Sequence, residues 1–192
     1  MSLDRARSSD VDRVTVLRVA AHPLRLRILS LLTGAAMTAT EVANELDVTH
    51  ANASYHLRKL LVLPSIVVEH EGGPGRGGSK RYRYDVTREP HSGSAAVRTA
   101  DEVDAQRGAY LVLAEELSRR AGLLSPEGRG AQTDAEFWVT PEDWEAVVTA
   151  MRDASYALHR AARPPRSPGT IRVNATVALF RMIAESPAEG ES

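Results

Sequence analysis

The chain has no cysteine among its 192 residues. Disulfide bonds, thiolate metal sites and cysteine nucleophiles are therefore excluded. No apolar run approaches the length of a membrane span, and the first residues, MSLDRARSSDVD, lack the apolar core of a signal peptide. We therefore expect a cytoplasmic protein with no membrane partner, and a disordered tail over residues 1–11.

The sequence motifs of the common enzyme classes are also missing. We find no GxSxG, no phosphate-binding loop and no HExxH zinc motif. Asp143 and Glu145 suit a helix start, and Glu115 with Glu116 suits a solvated helix face. The sequence therefore predicts no enzymatic activity, no catalytic residue and no cofactor.

Lysine is scarce and positive charge is unevenly spread. Residues 1–88 hold 13 Lys and Arg against 9 Asp and Glu, whereas residues 89–192 hold 11 against 16. The only two lysines, Lys59 and Lys80, lie within residues 49–83, where basic residues outnumber acidic ones by 6 to 2. Either the N-terminal half faces a polyanion, or the modest excess arose by chance.

Apolar residues at helical spacing predict four helices in the first third of the chain: 14–21, 24–32, 38–46 and 50–61. His22-Pro23 separates the first two, because the residue before proline avoids the helical conformation. Thr38 and Glu41 form a capping box at the start of the third helix. Asp47 occupies the turn before the fourth, since aspartate tolerates a left-handed conformation.

A hairpin is predicted after the fourth helix. Residues 66–70 read as its first strand, and residues 72–79 hold five glycines and one proline, which is typical of a flexible tip. Residues 81–86 alternate, with Tyr82 and Tyr84 on one side and the basic Arg81 and Arg83 on the other. This alternation predicts a half-buried strand with a basic outer face.

The segments AHPLRLRIL (21–29), TEVANEL (40–46) and SYHLRKL (54–60), followed by the hairpin, together resemble the ArsR-type winged helix-turn-helix regulators. The resemblance covers residues 12–87 and implies a homodimeric transcription factor, usually a repressor, on a near-palindromic operator in double-stranded DNA. Asp47 and Leu63-Pro64 depart from the family pattern. The family's metal-binding motifs are absent, so we expect no metal site.

Side chains that read base edges must stand on the exposed face of a helix in the major groove. Helix 50–61 offers His50, Asn52, Ser54 and Tyr55 for this role, with Arg58 and Lys59 as phosphate contacts. His56 suits either DNA or the interior equally. In the wing, residues 72–80, the predicted contacts to the minor groove or backbone are Arg76 and Lys80, joined by Arg81 and Arg83 of the following strand. A solvated helix face and an ordinary flexible hairpin are the simpler alternatives.

The second half is predicted to be a separate α+β region. A linker over 88–100 precedes a region over 101–184, and residues 185–192 read as a second disordered tail. Helices are predicted at 101–124 and 140–162, a short strand at 136–139 and a long strand at 170–183. The second helix would direct inward Trp144, Val147, Val148, Met151, Ala154 and Leu158.

The predicted fold class is therefore mainly α with a small β wing, a winged helix-turn-helix domain followed by a dimerisation or sensing region. Five aromatic side chains of the second half suit either an effector pocket or, as we favour, simple packing: Tyr110, Trp138, Trp144, Tyr156 and Phe180. The effector, if there is one, is not identified by the sequence. A dimeric transcriptional regulator is the leading interpretation, and a winged-helix module that binds proteins is the alternative.

Overall fold

The computed structural model describes residues 12–70, 79–88 and 97–183. Its architecture is mainly helical with one small antiparallel sheet, as predicted. The elements in chain order are α1 (Arg13–Ala20), α2 (Pro23–Gly34), α3 (Ala39–Leu46), α4 (His50–Leu60), β1 (Ile66–His70), β2 (Lys80–Tyr84), α5 (Ala100–Ala121) and α6 (Pro141–Ala161). A short 3₁₀ turn, Val86–Arg88, follows β2. None of the described helices combines the length and apolar character needed to cross a membrane.

The helix starts follow the predicted capping chemistry. The Thr38 hydroxyl accepts a hydrogen bond from the Glu41 amide at 3.2 Å, and the Thr38 amide donates to the Glu41 carboxylate at 2.7 Å. This confirms the capping box, which satisfies two amides that an uncapped helix leaves free. At α2, Pro23 takes the first helical position as expected. His22 Nδ1 accepts from the Leu24 amide at 3.1 Å, a cap that was not predicted.

The main hydrophobic cluster of the described residues lies in the first half of the chain. Its buried members come from α2, the segment before α3, α3, α4, the loop after α4 and the two strands: Ile28, Leu32, Met37, Val42, Ala43, Leu46, Ala53, Leu57, Leu60, Leu63, Ile66 and Tyr82. The apolar stripes predicted for α3 and for α4 both face this core. These three helices and the hairpin therefore form one packed unit.

The hairpin base is fixed to that unit by backbone hydrogen bonds. β1 and β2 pair antiparallel, with Ile66 opposite Tyr84 and His70 opposite Lys80. Met37, just before α3, exchanges two backbone hydrogen bonds with Tyr82, at 2.9 and 2.8 Å. Because Tyr82 is also buried, the strand that leads out of the hairpin is held against the helices.

The second half contacts the first through α5 and through the end of α6. α5 packs across α1 and α2, and it begins with a capping box between Thr99 and Glu102. After α6, the Arg163 carbonyl lies so close to Gly34 that a Cβ there would overlap it. Arg166 in the same segment pairs with Glu45 of α3. The two halves therefore meet along a seam beside the helix-turn-helix.

The two strands predicted for the second half were wrong. Residues 136–139 and 170–183 have no regular secondary structure and pair with no strand, and Ile171, Val173 and Trp138 are more than half exposed. Alternating apolar residues favour a strand only when a neighbour accepts the backbone hydrogen bonds. Within the described part of this chain neither segment has such a neighbour.

The inward face predicted for α6 was only partly right. Trp144 and Val148 are half-buried, but Val147, Met151, Ala154 and Leu158 are exposed. The aromatic residues do not enclose one pocket either. Tyr110 and Phe180 stack with ring centroids 5.1 Å apart, whereas Trp138 is 91% exposed. The predicted tails, 1–11 and 185–192, and most of the linker lie outside the described residues.

Candidate nucleic-acid interface

α3 and α4 are joined by a three-residue turn that sets the angle between them. Asp47 adopts the left-handed conformation with φ 53° and ψ 53°, and its amide donates to the Ala43 carbonyl. The Thr49 hydroxyl accepts from the Asn52 amide at 3.2 Å, which starts α4. The turn predicted from Asp47 is therefore confirmed, although glycine would adopt it with less strain.

α4 has one buried side and one exposed side. Ala53, Leu57 and Leu60 are fully buried in the core. Six residues of α4 were predicted to contact DNA, and five of them lie on the exposed side: His50, Asn52, Tyr55, Arg58 and Lys59. The sixth, Ser54, is half-buried at the boundary between the two sides. The helix thus presents hydrogen-bonding and cationic groups outward while its apolar side fixes its position.

Tyr55 contacts two neighbouring side chains of α4. Its ring is 48% exposed, and the Lys59 ammonium lies 5.6 Å from the ring centroid. The ring also meets His56 edge-on, with centroids 5.1 Å apart. A cation over an aromatic face at this distance is attractive. Tyr55 is therefore in contact with both Lys59 and His56 while about half of its surface remains open to a partner.

His56 belongs to the interior, which decides between the two roles left open by the sequence. It is only 6% exposed, and its ring packs on His22 with centroids 4.6 Å apart. Within the described residues its buried Nδ1 has no hydrogen-bond partner. Burial, followed by the neighbouring His22 and Arg25, lowers the pKa of His56. Burial and Arg25 likewise lower the pKa of His22.

Arg25 closes the end of α1. Its guanidinium donates to the carbonyl oxygens of Val19 and Arg18, the latter at 3.3 Å. These carbonyls lie in the last turn of α1, where helix carbonyls lack an intrahelical partner. Nothing in the local sequence pattern indicates these bonds, because Arg25 reaches back six and seven residues to make them.

The basic residues of the wing differ in how they are engaged. Lys80 is exposed at the outer end of β2. Arg83 donates to Glu69 on the opposite strand at 3.0 Å and lies 3.7 Å from Asp85. Arg76 lies outside the described residues. Among the basic residues of β2, Lys80 is therefore the one that is exposed at the outer end of the strand.

Arg81 is bonded toward the helices. Its Nη2 and Nε donate to the Ala36 carbonyl at 2.7 and 3.2 Å, and Nη2 also donates to Glu41 at 3.1 Å. Glu41 is the capping residue of α3. Hydrogen bonding from the Thr38 amide, together with Arg81, lowers the pKa of Glu41. Arg81 therefore connects the base of the wing to the start of the helix-turn-helix. Arg81 and Ala36 are 45 residues apart, so no local sequence pattern predicts this connection.

Comparison with known proteins agrees with this geometry. Residues 20–61 match the helix-turn-helix domain family. The matched segment runs from the end of α1 through α4, which is less than half of the chain. No curated protein is similar enough to match. In helix-turn-helix domains the second helix of the motif lies in the major groove of DNA, and that helix here is α4.

No metal site accompanies this helix-turn-helix in the part of the chain that the structure describes. A search of those residues for three or more clustered His, Cys, Asp or Glu side chains finds no group that could hold an ion. His22 and His56 face each other as a pair, without a carboxylate ligand.

Proposed function

We propose that this chain is a homodimeric, sequence-specific regulator of transcription, acting as a repressor on a near-palindromic operator. α4 enters the major groove, and the wing lies on the minor groove or the phosphate backbone. The observation that carries this proposal is the pairing of a matched helix-turn-helix with an α4 whose outward side is polar and cationic.

The first step of recognition concerns α4. His50, Asn52, Ser54 and Tyr55 read base edges, and Arg58 and Lys59 contact phosphates. Asparagine is suited to adenine through two hydrogen bonds, and tyrosine to a thymine methyl or a phosphate. Support comes from the exposure of all of these side chains except the half-buried Ser54 and from the contact of the Lys59 ammonium with the Tyr55 ring. Phosphate contacts set the register of α4, and base contacts set its sequence preference.

The second step concerns the wing. Lys80, and Arg76 beyond the described residues, contact phosphates or the minor groove. Arg83 joins them once DNA competes for its exposed pairing with Glu69, since surface ion pairs are weak. Arg81 acts differently from our first expectation, because its bonds to Ala36 and Glu41 support a role in positioning the wing.

The third step is dimerisation. A near-palindromic operator requires two recognition helices about one turn of duplex apart, roughly 34–36 Å. Val147, Met151 and Leu158 are exposed along one flank of α6, and clustered exposed apolar residues mark interaction surfaces. A second copy that covers this flank would fix the spacing between the two α4 helices.

The proposal is tested by fluorescence anisotropy with two duplexes, the DNA upstream of the protein's own gene and a scrambled control. Tyr55→Ala should weaken binding to the specific duplex by about tenfold, since one good base contact contributes roughly 1–3 kcal/mol of discrimination. Its effect on the scrambled duplex should be small. Lys80→Ala should weaken both duplexes alike and reduce the salt slope by about one.

Arg129→Ala is the matched control, because Arg129 is an exposed arginine in the loop between α5 and α6. It should leave both affinities unchanged. Equal losses for Tyr55→Ala on the two duplexes would overturn the division of roles. If neither duplex binds in a salt-dependent way, the alternative of a protein-binding module replaces this proposal.

A further inference from the structure

A cleft of about 220 Å³ lies on the seam between the two halves of the chain. One wall is apolar and comes from the helix-turn-helix half, with Val16, Leu26 and Leu29 among its residues. Arg120 of α5 and His159 of α6 line the cleft from the second half. Drug-sized ligands occupy roughly 300–1000 Å³, so an occupant of this cleft is smaller than that.

The positive charge beside the cleft exceeds the negative charge that balances it. Glu116, only 2% exposed, accepts from Arg119 at 2.6 and 2.7 Å and from Arg120 at 2.9 Å. One carboxylate thus faces two guanidinium groups. The hydrogen bonds from both arginines lower the pKa of Glu116, with Arg119 first. The cluster of Glu116, Arg119 and Arg120 therefore carries one net positive charge next to the apolar wall.

Arg120 is the member of this group that reaches the cleft. Its Nη1 donates to the Asn174 side chain at 3.0 Å and its Nη2 to the Ser30 hydroxyl at 3.2 Å. Both acceptors are neutral. A carboxylate in their place would form shorter and stronger charge-assisted hydrogen bonds, two of them in parallel. Its binding would also neutralise the excess charge.

His159 supplies a second polar group. Its Nδ1 lies 2.8 Å from the Ser155 carbonyl, and because a carbonyl oxygen can only accept, Nδ1 carries the hydrogen. Nε2 is then the nitrogen free of that bond. The ring is also held beside Tyr84, with centroids 5.7 Å apart. With Nδ1 as the donor, Nε2 of the neutral ring is an acceptor, so it does not bind the carboxylate and instead limits the directions in which an anion on Arg120 can lie.

We propose that this cleft binds a small amphipathic carboxylate. The carboxylate replaces Ser30 and Asn174 on Arg120, and the apolar body lies against Leu26 and Leu29. Because the two walls belong to different halves of the chain, binding changes how α5 packs on α2. The binding site itself does not depend on the proposed function. An effect of this change on operator affinity does rest on it.

The site is tested without DNA, by isothermal titration calorimetry of the full chain with 2-naphthoate and with its neutral analogue 2-naphthylmethanol. We expect 2-naphthoate to bind at least tenfold more tightly. Arg120→Gln should abolish this preference, whereas Arg119→Gln, which removes the excess charge but keeps the Arg120 guanidinium in the cleft, should only reduce it. The two variants are matched, since each removes one guanidinium from Glu116 and only Arg120 lines the cleft.

A third variant keeps the test decisive if Arg120→Gln fails to fold. Leu26→Trp fills the cleft from the α2 side without altering a charge, and it should weaken both probes at least tenfold. Absence of 2-naphthoate binding, equal binding of the two probes, or unchanged binding in both Arg120→Gln and Leu26→Trp would overturn the proposal. These outcomes are independent of DNA binding, so a failure here leaves the proposed function untouched.

The link to regulation is tested separately by repeating the anisotropy titration with saturating 2-naphthoate. A change of at least threefold in affinity for the specific duplex, absent in Arg120→Gln, is expected. No change in the wild-type chain would overturn the link while leaving the binding site in place.

Discussion

Replacement of Arg81 should destabilise the fold much more than replacement of Arg83, although the two lie on the same strand and on the same side of it. The Arg81 side chain is 24% exposed and that of Arg83 is 40% exposed. Arg81 makes two hydrogen bonds to the Ala36 carbonyl and one to Glu41. Arg83 has exposed or partly exposed carboxylates as its partners.

The magnitudes follow from this difference. A hydrogen bond that involves a charged group contributes about 1.5–3 kcal/mol, and losing it leaves the Ala36 carbonyl without that donor. An exposed ion pair contributes only about 0.2–1 kcal/mol. We expect Arg81→Met to lower the free energy of unfolding by about 2 kcal/mol and Arg83→Met by about 0.5 kcal/mol. Methionine keeps most of the apolar stem, so packing changes little.

Urea denaturation monitored by circular dichroism measures both values, with an unchanged m-value as the sign that the folded state is preserved. Equal losses for the two variants would refute the assignment of Arg81 as the residue that fixes the wing. So would an Arg81→Met variant of full stability whose DNA affinity alone is reduced, because that result would make Arg81 a DNA contact.

Three further predictions concern pH, the seam and the dimer. Burial lowers the pKa of His22 and His56 from 6.5, so the unfolded chain takes up protons first as the pH falls. The free energy of unfolding should therefore decrease below about pH 6.5, by at most about 1.4 kcal/mol per pH unit per histidine, and His56→Gln should flatten this profile in urea titrations. Gly34→Ala should displace the segment after α6 and raise its hydrogen exchange, whereas Gly108→Ala, where a Cβ meets nothing within 4 Å, should be neutral or stabilising. The wild-type chain should sediment as the proposed dimer in analytical ultracentrifugation and Leu158→Asp as a folded monomer, and a Leu158→Asp variant that sediments like the wild type would contradict the proposed role of α6.

The first half of the chain could be predicted because its signals are local. A capping box spans four residues, and the apolar stripe of α4 repeats within eleven, so neighbours along the chain carry the information. Asp47 shows the same principle, since its left-handed conformation depends on its own short side chain. Those features place the outward residues of α4 correctly.

The remainder could not be predicted because it depends on partners distant in sequence. Arg81 and Arg83 alternate identically along β2, yet only Arg81 meets the start of α3. Residues 170–183 have the alternation of a strand but find no neighbouring strand among the described residues. Glu116 was interpreted as a solvated acid and is instead buried between two arginines. Such pairings are set by the packing of whole elements, which a single sequence does not reveal.

The proposed function requires that α4 and the wing bind duplex DNA with sequence preference. The most direct test is fluorescence anisotropy of the full-length wild-type chain with the duplex from upstream of its own gene and with a scrambled duplex, at two salt concentrations. We predict tighter binding to the upstream duplex at both concentrations and weaker binding to both duplexes at the higher one. Equal affinity for the two duplexes, with no dependence on salt, would contradict the account.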